Sequence, residues 1–321
     1  MSGPALVVTD HAFGGTAHEQ AAADALGREL IVHQVAADDE PGARAAVAGA
    51  DVVFVNFAPM TAAVLEALGS GAVVIRYGVG YDNVDLDAAR RLGVRVCNVP
   101  DYGVDTVADH AVSCLLALLR RTGPYTAAIV ADGWVTPGGL GPLRDFRDTT
   151  VGLIGTGRIG LSVAARLAPF GFRVIAFDPY ADPIRLASHG ITAVSLEELL
   201  AQAHAVSLHA PLTDATRRII GGENLARMRS DAVLVNTARG GLVDQEAVAE
   251  ALLAGRLGGA ALDVFDPEPL PPASRLREAG NVILTPHAAF FSDRSLDNLQ
   301  RLAAEEALRA VRGEPLRCPV G

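Results

Sequence analysis

The sequence predicts an α/β protein built from two doubly wound parallel-sheet domains, and three observations carry that expectation. Short apolar runs alternate with helix-sized stretches along most of the chain, the order that generates βαβ units and parallel sheets. Half of the residues are hydrophobic but only 5% are aromatic, and Ala, Val, Leu and Gly dominate, as suits strands covered by helices on both faces. A length of 321 residues accommodates two domains of ordinary size.

Taken in order, Ala5–Thr9, Leu30–Val35, Val52–Phe54, Val73–Ile75 and Arg95–Cys97 read as buried strands. The stretches around Ala17–Leu26, Ala43–Ala48, Ala62–Leu68 and Leu86–Leu92 read as the helices between them. From Thr106 to Arg121, Val107, Ala111, Cys114, Leu115 and Leu118 recur at helical spacing, with Arg120 and Arg121 at the dipole-favoured C-terminal end. Gly123-Pro124 is expected to break this helix, and Gly133–Arg147, rich in Gly, Pro and Arg, to form a surface loop. The alternation restarts at Val151, with later strands at Val174–Phe177, Ala205–Leu208, Ala232–Val235, Gly259–Leu262 and Val282–Leu284. A last amphipathic helix, Asp293–Arg312, has no strand partner of its own and is expected to fold back over the first domain.

The restart carries the most informative segment, Val151-Gly-Leu-Ile-Gly-Thr-Gly-Arg-Ile-Gly160, followed by the strand that ends at Asp178. Gly155 permits a tight turn, Gly157 lets backbone approach a pyrophosphate, and Gly160 lets the helix pack close to the strand. Thr156, Arg158 and Ile159 complete the turn and the helix start, with Arg158 on the pyrophosphate side. Asp178 follows Gly155 by 23 residues, near the spacing at which an acid receives the adenosine ribose hydroxyls. A bare glycine turn is also a common structural device. Here the strand, the helix and the acid accompany it, so a Rossmann domain is expected. No Arg or Lys follows Asp178 before Arg185. A carboxylate there repels a 2′-phosphate, so NAD(H) is favoured over NADP(H).

The formal charge of −10 argues against a broad basic face for nucleic acid. Cys97, Cys114 and Cys318 lack metal or redox spacing, and free thiols fit a cytoplasmic location. No metal site, signal peptide or membrane span is expected, since the apolar stretch near Ala111–Leu119 is too short to cross a bilayer.

Three later segments place polar groups after buried strands: Val235-Asn-Thr-Ala-Arg239, Ala261-Leu-Asp263 through Glu268, and Leu284-Thr-Pro-His287. Carboxyl ends of parallel strands are where such sheets hold ligands. Alone, each residue has an ordinary structural reading: a surface ion pair for the Arg, a solvated loop for the Glu, a turn for the His. Together they form a working set. An imidazole exchanges a proton with a carbonyl or hydroxyl oxygen, a carboxylate fixes its tautomer, and a guanidinium holds a substrate carboxylate.

These residues, with Arg76-Tyr-Gly-Val-Gly-Tyr-Asp-Asn-Val-Asp85, His209-Ala-Pro-Leu-Thr213, Asn236–Gly240, Asp263–Pro269 and Thr285–Ala289, make the chain resemble the D-isomer-specific 2-hydroxyacid dehydrogenases. The resemblance covers almost the whole chain and leans to the C-terminal binding protein and D-3-phosphoglycerate dehydrogenase branch. It differs where animal C-terminal binding proteins carry Trp after His-Ala-Ala, since Phe290 stands here.

The resemblance implies a flavodoxin-like substrate domain, residues 1–100 plus 291–321, interrupted by a Rossmann domain at 101–290. It implies Arg239, Glu268 and His287 as the catalytic set. Val79 and Gly80 backbone would bind the substrate carboxylate, and Asp263 would receive the nicotinamide amide. The stretch Ala210–Thr216, with Pro211, and Thr237, would line the cofactor, and His209, Ala238 and His287 are placed with them. It implies a homodimer through the Thr106–Arg121 region and a small 2-oxo or 2-hydroxy acid as substrate. Arg76 and Phe290 are further candidates for substrate contact. Arg76 facing the pocket would suit a doubly charged substrate, a dicarboxylate, phosphate or phosphonate; alternatively it is a structural Arg bound to a backbone carbonyl or to Asp82. The activity implied is NAD-dependent interconversion of a 2-oxo acid and a D-2-hydroxy acid. The alternative is an NAD(H)-sensing regulatory protein of the C-terminal binding protein type.

Overall fold

The computed structural model describes residues 4–321; residues 1–3, included in the expected first domain, lie outside the described residues. The chain divides into two compact units. One runs to Gly103 and resumes at Phe291, and the other is Val104–Phe290.

The first unit is a six-stranded sheet. Its strands are β1 (Leu6–Val8), β2 (Leu30–Val32), β3 (Val52–Val55), β4 (Val73–Arg76), β5 (Arg95–Asn98) and a short C-terminal strand, Pro319–Val320. The first five are parallel in the order β5-β4-β3-β1-β2, and the C-terminal strand pairs antiparallel to β5. One face buries Leu6, Val8, Phe54 and Ile75 against the helix Asp293–Arg312 through Leu299, Ala303 and Ala307. The last helix thus covers the first sheet, as expected. The antiparallel strand after it was not expected, because two residues carry no periodicity to read. The other face buries Val7, Val53, Val55 and Val74 with Val64 and Ala88 from the helices Ala62–Leu65 and Leu86–Leu92.

The second unit is a seven-stranded sheet of β6 (Thr150–Ile154), β7 (Arg173–Phe177), β8 (Ile191–Ala193), β9 (Ala205–Leu208), β10 (Val233–Asn236), β11 (Gly259–Leu262) and β12 (Val282–Leu284). All pairs are parallel, in the order β12-β11-β10-β9-β6-β7-β8. The strand order reverses at β6, which lies between β7 and β9. The register is level: Ile154 faces Phe177 and Leu208, Asn236 faces Leu208 and Leu262, and Leu262 faces Leu284. The residues that follow these strands therefore leave the sheet in one row, beside a topological switch point.

The helix Val104–Arg120 buries Ala108, Ala111, Leu115 and Leu118 against Val151, Leu153 and Val235. It does not simply end at Gly123-Pro124. Arg121 turns the chain with φ 50°, and a second helix, Thr122–Asp132, begins there. Pro124 falls in its first turn, where backbone N–H groups have no intrahelical acceptor, so proline starts this helix instead of breaking it. The expected Gly133–Arg147 loop holds only two short 3₁₀ turns, Pro137–Leu140 and Phe146–Asp148.

Candidate active site

The glycine turn after β6 has the form its sequence requires. Gly155 adopts φ +92°, and a Cβ there would lie 2.7 Å from the backbone of His209 and Ala210 at the end of β9. A Cβ on Gly160 would collide with the carbonyl oxygen of Gly155, so helix Arg158–Leu167 seats against the turn only through glycine. Open space surrounds the Cβ position of Gly157, at the helix N-cap. No side chain caps this helix, which leaves its first amides to serve an anion. Arg158 is exposed in the first turn and Ile159 packs partly on the core.

Asp178 closes the turn from the neighbouring strand. Its Oδ2 accepts from Thr156 N at 2.8 Å and Thr156 Oγ1 at 2.7 Å, and its Oδ1 from Tyr180 N at 3.0 Å. Burial alone would raise this carboxyl, but the bonds from Thr156 and from the Tyr180 and Ala181 amides hold it below its ordinary value. The group is therefore an acceptor at neutral pH.

Across the switch, His209 Nε2 lies 2.9 Å from Ser207 Oγ, and loss of hydration pushes the imidazole down to about 4. It is neutral at pH 7. Ala210 packs on the core while Pro211 is exposed. The Thr216 hydroxyl donates to Pro211 O at 2.7 Å and accepts from Thr213 N at 2.8 Å, so it shapes its own loop. After β10, the side chain of Asn236 bridges Arg239 O and Ala238 N. The buried Thr237 Oγ1 has no hydrogen-bond partner, so a polar group reaching this row would satisfy it. The open Gly157 turn, the acceptor Asp178 and the orphaned Thr237 hydroxyl fit a dinucleotide.

The three catalytic candidates meet beyond β10, β11 and β12. Glu268 Oε2 lies 2.9 Å from His287 Nδ1, and Glu268 Oε1 accepts from Phe265 N at 2.9 Å. Burial would raise Glu268, but the His287 bond and charge, the Phe265 N–H and the Arg239 guanidinium outweigh it and hold the carboxyl below its ordinary value. Arg239 Nη1 donates to Ala238 O at 2.7 Å. Phe290 stands edge-on to the imidazole, with ring centroids 6.1 Å apart.

His287 itself has φ +51°, a left-handed conformation that a residue with a Cβ holds only under restraint. Asp263 supplies that restraint. Its carbonyl accepts from His287 N at 2.7 Å, and its Oδ1 accepts from Thr285 Oγ1 at 2.5 Å and Ala288 N at 2.8 Å. Its Oδ2 accepts from Ala289 N at 2.9 Å. The carboxylate of Asp263, expected to receive the nicotinamide amide, is almost fully buried and bonded to the His287 turn. A contact the sequence reading missed lies behind it, His110 Nε2 at 3.3 Å from Thr285 Oγ1. The signal was present, since His110 interrupts the apolar stripe between Val107 and Cys114.

In the first unit, the loop after β4 is tied down by Val99 N to Gly78 O at 3.0 Å and Asn98 Nδ2 to Val79 O at 2.6 Å. Val79 is exposed and Gly80 half-buried. Arg76 Nη1 donates to Tyr77 O, the backbone-carbonyl alternative for this residue. Among the described residues no group of three or more His, Cys, Asp or Glu could hold a metal, and no helix is long and apolar enough to cross a membrane.

Residues 112–289 match the family model described as D-isomer specific 2-hydroxyacid dehydrogenase, NAD binding domain. The chain is 40% identical over 296 residues to D-3-phosphoglycerate dehydrogenase of Mycobacterium leprae, covering 92% of this chain and 56% of that protein. It therefore spans little more than half the length of that relative. It is 39% identical over 264 residues to glyoxylate reductase of Korarchaeum cryptofilum, covering 80% and 78% of the two chains. Among solved structures, D-lactate dehydrogenase of Aquifex aeolicus complexed with NAD and lactic acid superposes with a TM-score of 0.86 at 26% identity, covering 96% of each chain.

Proposed function

Because the chain belongs to the D-isomer specific 2-hydroxyacid dehydrogenase family, we propose that it is an NAD-dependent oxidoreductase interconverting a 2-oxo acid and a D-2-hydroxy acid. The observation that supports this reading most is the Glu268–His287 pair at 2.9 Å, with Arg239 close enough for its charge to act on Glu268, in the same unit as the glycine turn. The Gly155–Gly160 turn would hold the pyrophosphate and Asp178 the ribose hydroxyls, with His209–Pro211, Thr237 and Ala238 lining the remainder. When bound, the reduced cofactor supplies a hydride to the substrate carbonyl carbon.

The chain's own residues manage the proton and the orientation. Glu268 accepts the Nδ1 proton of His287, which makes Nε2 the nitrogen that exchanges a proton with the substrate oxygen. In reduction the imidazolium donates to the carbonyl oxygen; in oxidation the neutral ring removes the hydroxyl proton. Arg239 would pair with the substrate carboxylate and polarise the adjacent carbonyl. Phe290 would pack on the carbon chain.

The test is a screen of purified protein against 2-oxo acids, singly and doubly charged, following NADH absorbance, with D- and L-2-hydroxy acids in the reverse direction. Turnover confined to D-isomers supports the reading. Tight NADH binding without any turnover supports an NAD(H)-sensing regulatory protein instead. Arg76 is the residue that would favour a doubly charged substrate. A preference for such substrates that disappears in Arg76→Met assigns it that role, and equal kcat/KM for pyruvate and diacids removes it.

A cytoplasmic homodimer is part of the same proposal. Cys97, Cys114 and Cys318 are free, which suits a reducing compartment. The Thr122–Asp132 helix that continues from Val104–Arg120 buries none of its residues, and Val130 and the nearby Trp134 are 82% and 73% exposed. Such an apolar surface suits a second copy of the chain. Light scattering on wild type and Val130→Asp tests it, with a shift toward monomer in the variant expected.

A further inference from the structure

We propose that His110, on the helix Val104–Arg120, is a positioning residue for His287, acting through Thr285 and Asp263. This inference rests on the proposed role of His287 but adds a residue that lies on a different element and outside the Arg239–Glu268–His287 set.

Hydrogen-bond bookkeeping sets the direction of each contact. The Thr285 hydroxyl has one proton, and its 2.5 Å contact with Asp263 Oδ1 uses it, because that carboxylate also accepts from Ala288 N and Ala289 N. The hydroxyl therefore offers only lone pairs to His110, and His110 must present Nε2–H across the 3.3 Å contact. The same nitrogen lies 3.9 Å from Asp263 Oδ1. His110 is partly buried and the Asp263 side chain almost fully so, and a donor beside an acceptor-rich group carries most weight where water is excluded.

The consequence reaches the imidazole through backbone. Asp263 holds His287 N by its carbonyl and the next two amides by its carboxylate, and these bonds keep His287 at φ +51°. A leucine in place of His110 fills space but withdraws the donor that orients the Thr285 hydroxyl. The Thr285 hydroxyl is then free to rotate away from Asp263 Oδ1, which weakens one of the bonds that orient this carboxylate, and the turn gains freedom to relax from its left-handed residue. His287 would leave its alignment with substrate while the glycine turn and Asp178 stay as they are. A glutamine at position 110 can place an amide N–H where Nε2 stood.

The experiment combines kinetics with a readout that needs no turnover. In the 321-residue chain, His110→Leu is expected to lower kcat about tenfold to a hundredfold, the scale of a small misplacement of a reacting group. NADH affinity should be unchanged, and His110→Gln should recover most of the loss. In parallel, imidazole ¹⁵N spectra of histidine-labelled protein, with His287 assigned through His287→Ala, should show the His287 resonances moved in His110→Leu and restored in His110→Gln. Should His110→Leu fail to fold, Thr285→Val carries both measurements and is expected to behave alike. Unmoved His287 resonances overturn the proposal, as do moved resonances with unchanged kcat. A wild type that turns over no 2-oxo acid refutes the reaction proposed above, and the spectra then decide this inference alone.

Discussion

Lowering the pH from 7 to 5 should destabilise this protein through His209, and substitution of that one residue should remove the effect. The imidazole sits at the carboxyl end of β9, where its Nε2 meets Ser207 Oγ at 2.9 Å and loss of hydration takes it from an ordinary 6.5 down to about 4. The folded state thus binds this proton less readily than the unfolded chain. Between those two values the unfolded state holds more protons, so stability is fully present above 6.5 and is lost as the pH falls toward 4. At pH 5 the unfolded His is nearly all protonated and the folded one nearly all neutral, which amounts to a loss of about 2 kcal/mol relative to pH 7. Other groups are displaced from their ordinary values as well. Burial raises Glu19 and Glu306 and lowers His204, so the wild-type profile alone does not isolate His209. The difference between wild type and His209→Gln does, since Gln can keep the bond to Ser207 and carries no proton. Urea denaturation at pH 7 and pH 5 should show the wild type losing about 2 kcal/mol more than the variant. Equal losses would refute the assignment of a dehydrated, neutral imidazole at this edge.

His287→Ala should lower kcat by about 10²–10⁴-fold with NADH affinity nearly intact, because in the proposed reaction the proton it exchanges belongs to the substrate; a near-normal kcat removes His287 from the mechanism. Asp178→Ser should raise NADPH use relative to NADH in paired kinetics, since it removes the carboxylate that opposes a 2′-phosphate. A wild type that already prefers NADPH contradicts that reading. Gly160→Ala should cost about 1–3 kcal/mol of stability by forcing the helix away from Gly155 O, and it should weaken NADH binding in the same protein. Denaturation midpoints and fluorescence titration check both, and an unchanged midpoint would show that the turn can yield.

The sheet class, most of the strands and the residues at their carboxyl ends were legible in the chain because each is written locally. An apolar run, a glycine spaced from the next, or a polar residue after a buried strand needs only its neighbours to be read. Gly155, Gly157, Gly160 and Asp178 belong here, and so does the nomination of Arg239, Glu268 and His287. Thr122–Asp132 was not legible, because Pro124 signals a break or a start equally well until Arg121 is seen at φ 50°. Nor was the part Asp263 plays in holding the His287 turn, because the amides it accepts from, at Ala288 and Ala289, are 25 and 26 residues away in sequence. His110 and Thr285 are separated by 175 residues. Their contact exists only because the helix Val104–Arg120 crosses the sheet that carries β11 and β12, with those strands in parallel register. Short-range patterns therefore determined which groups stand at the edge of the second sheet. The pairing of distant strands decided which of them turn outward and which hold the others in place, since hydrogen-bond partners are set by distance in space.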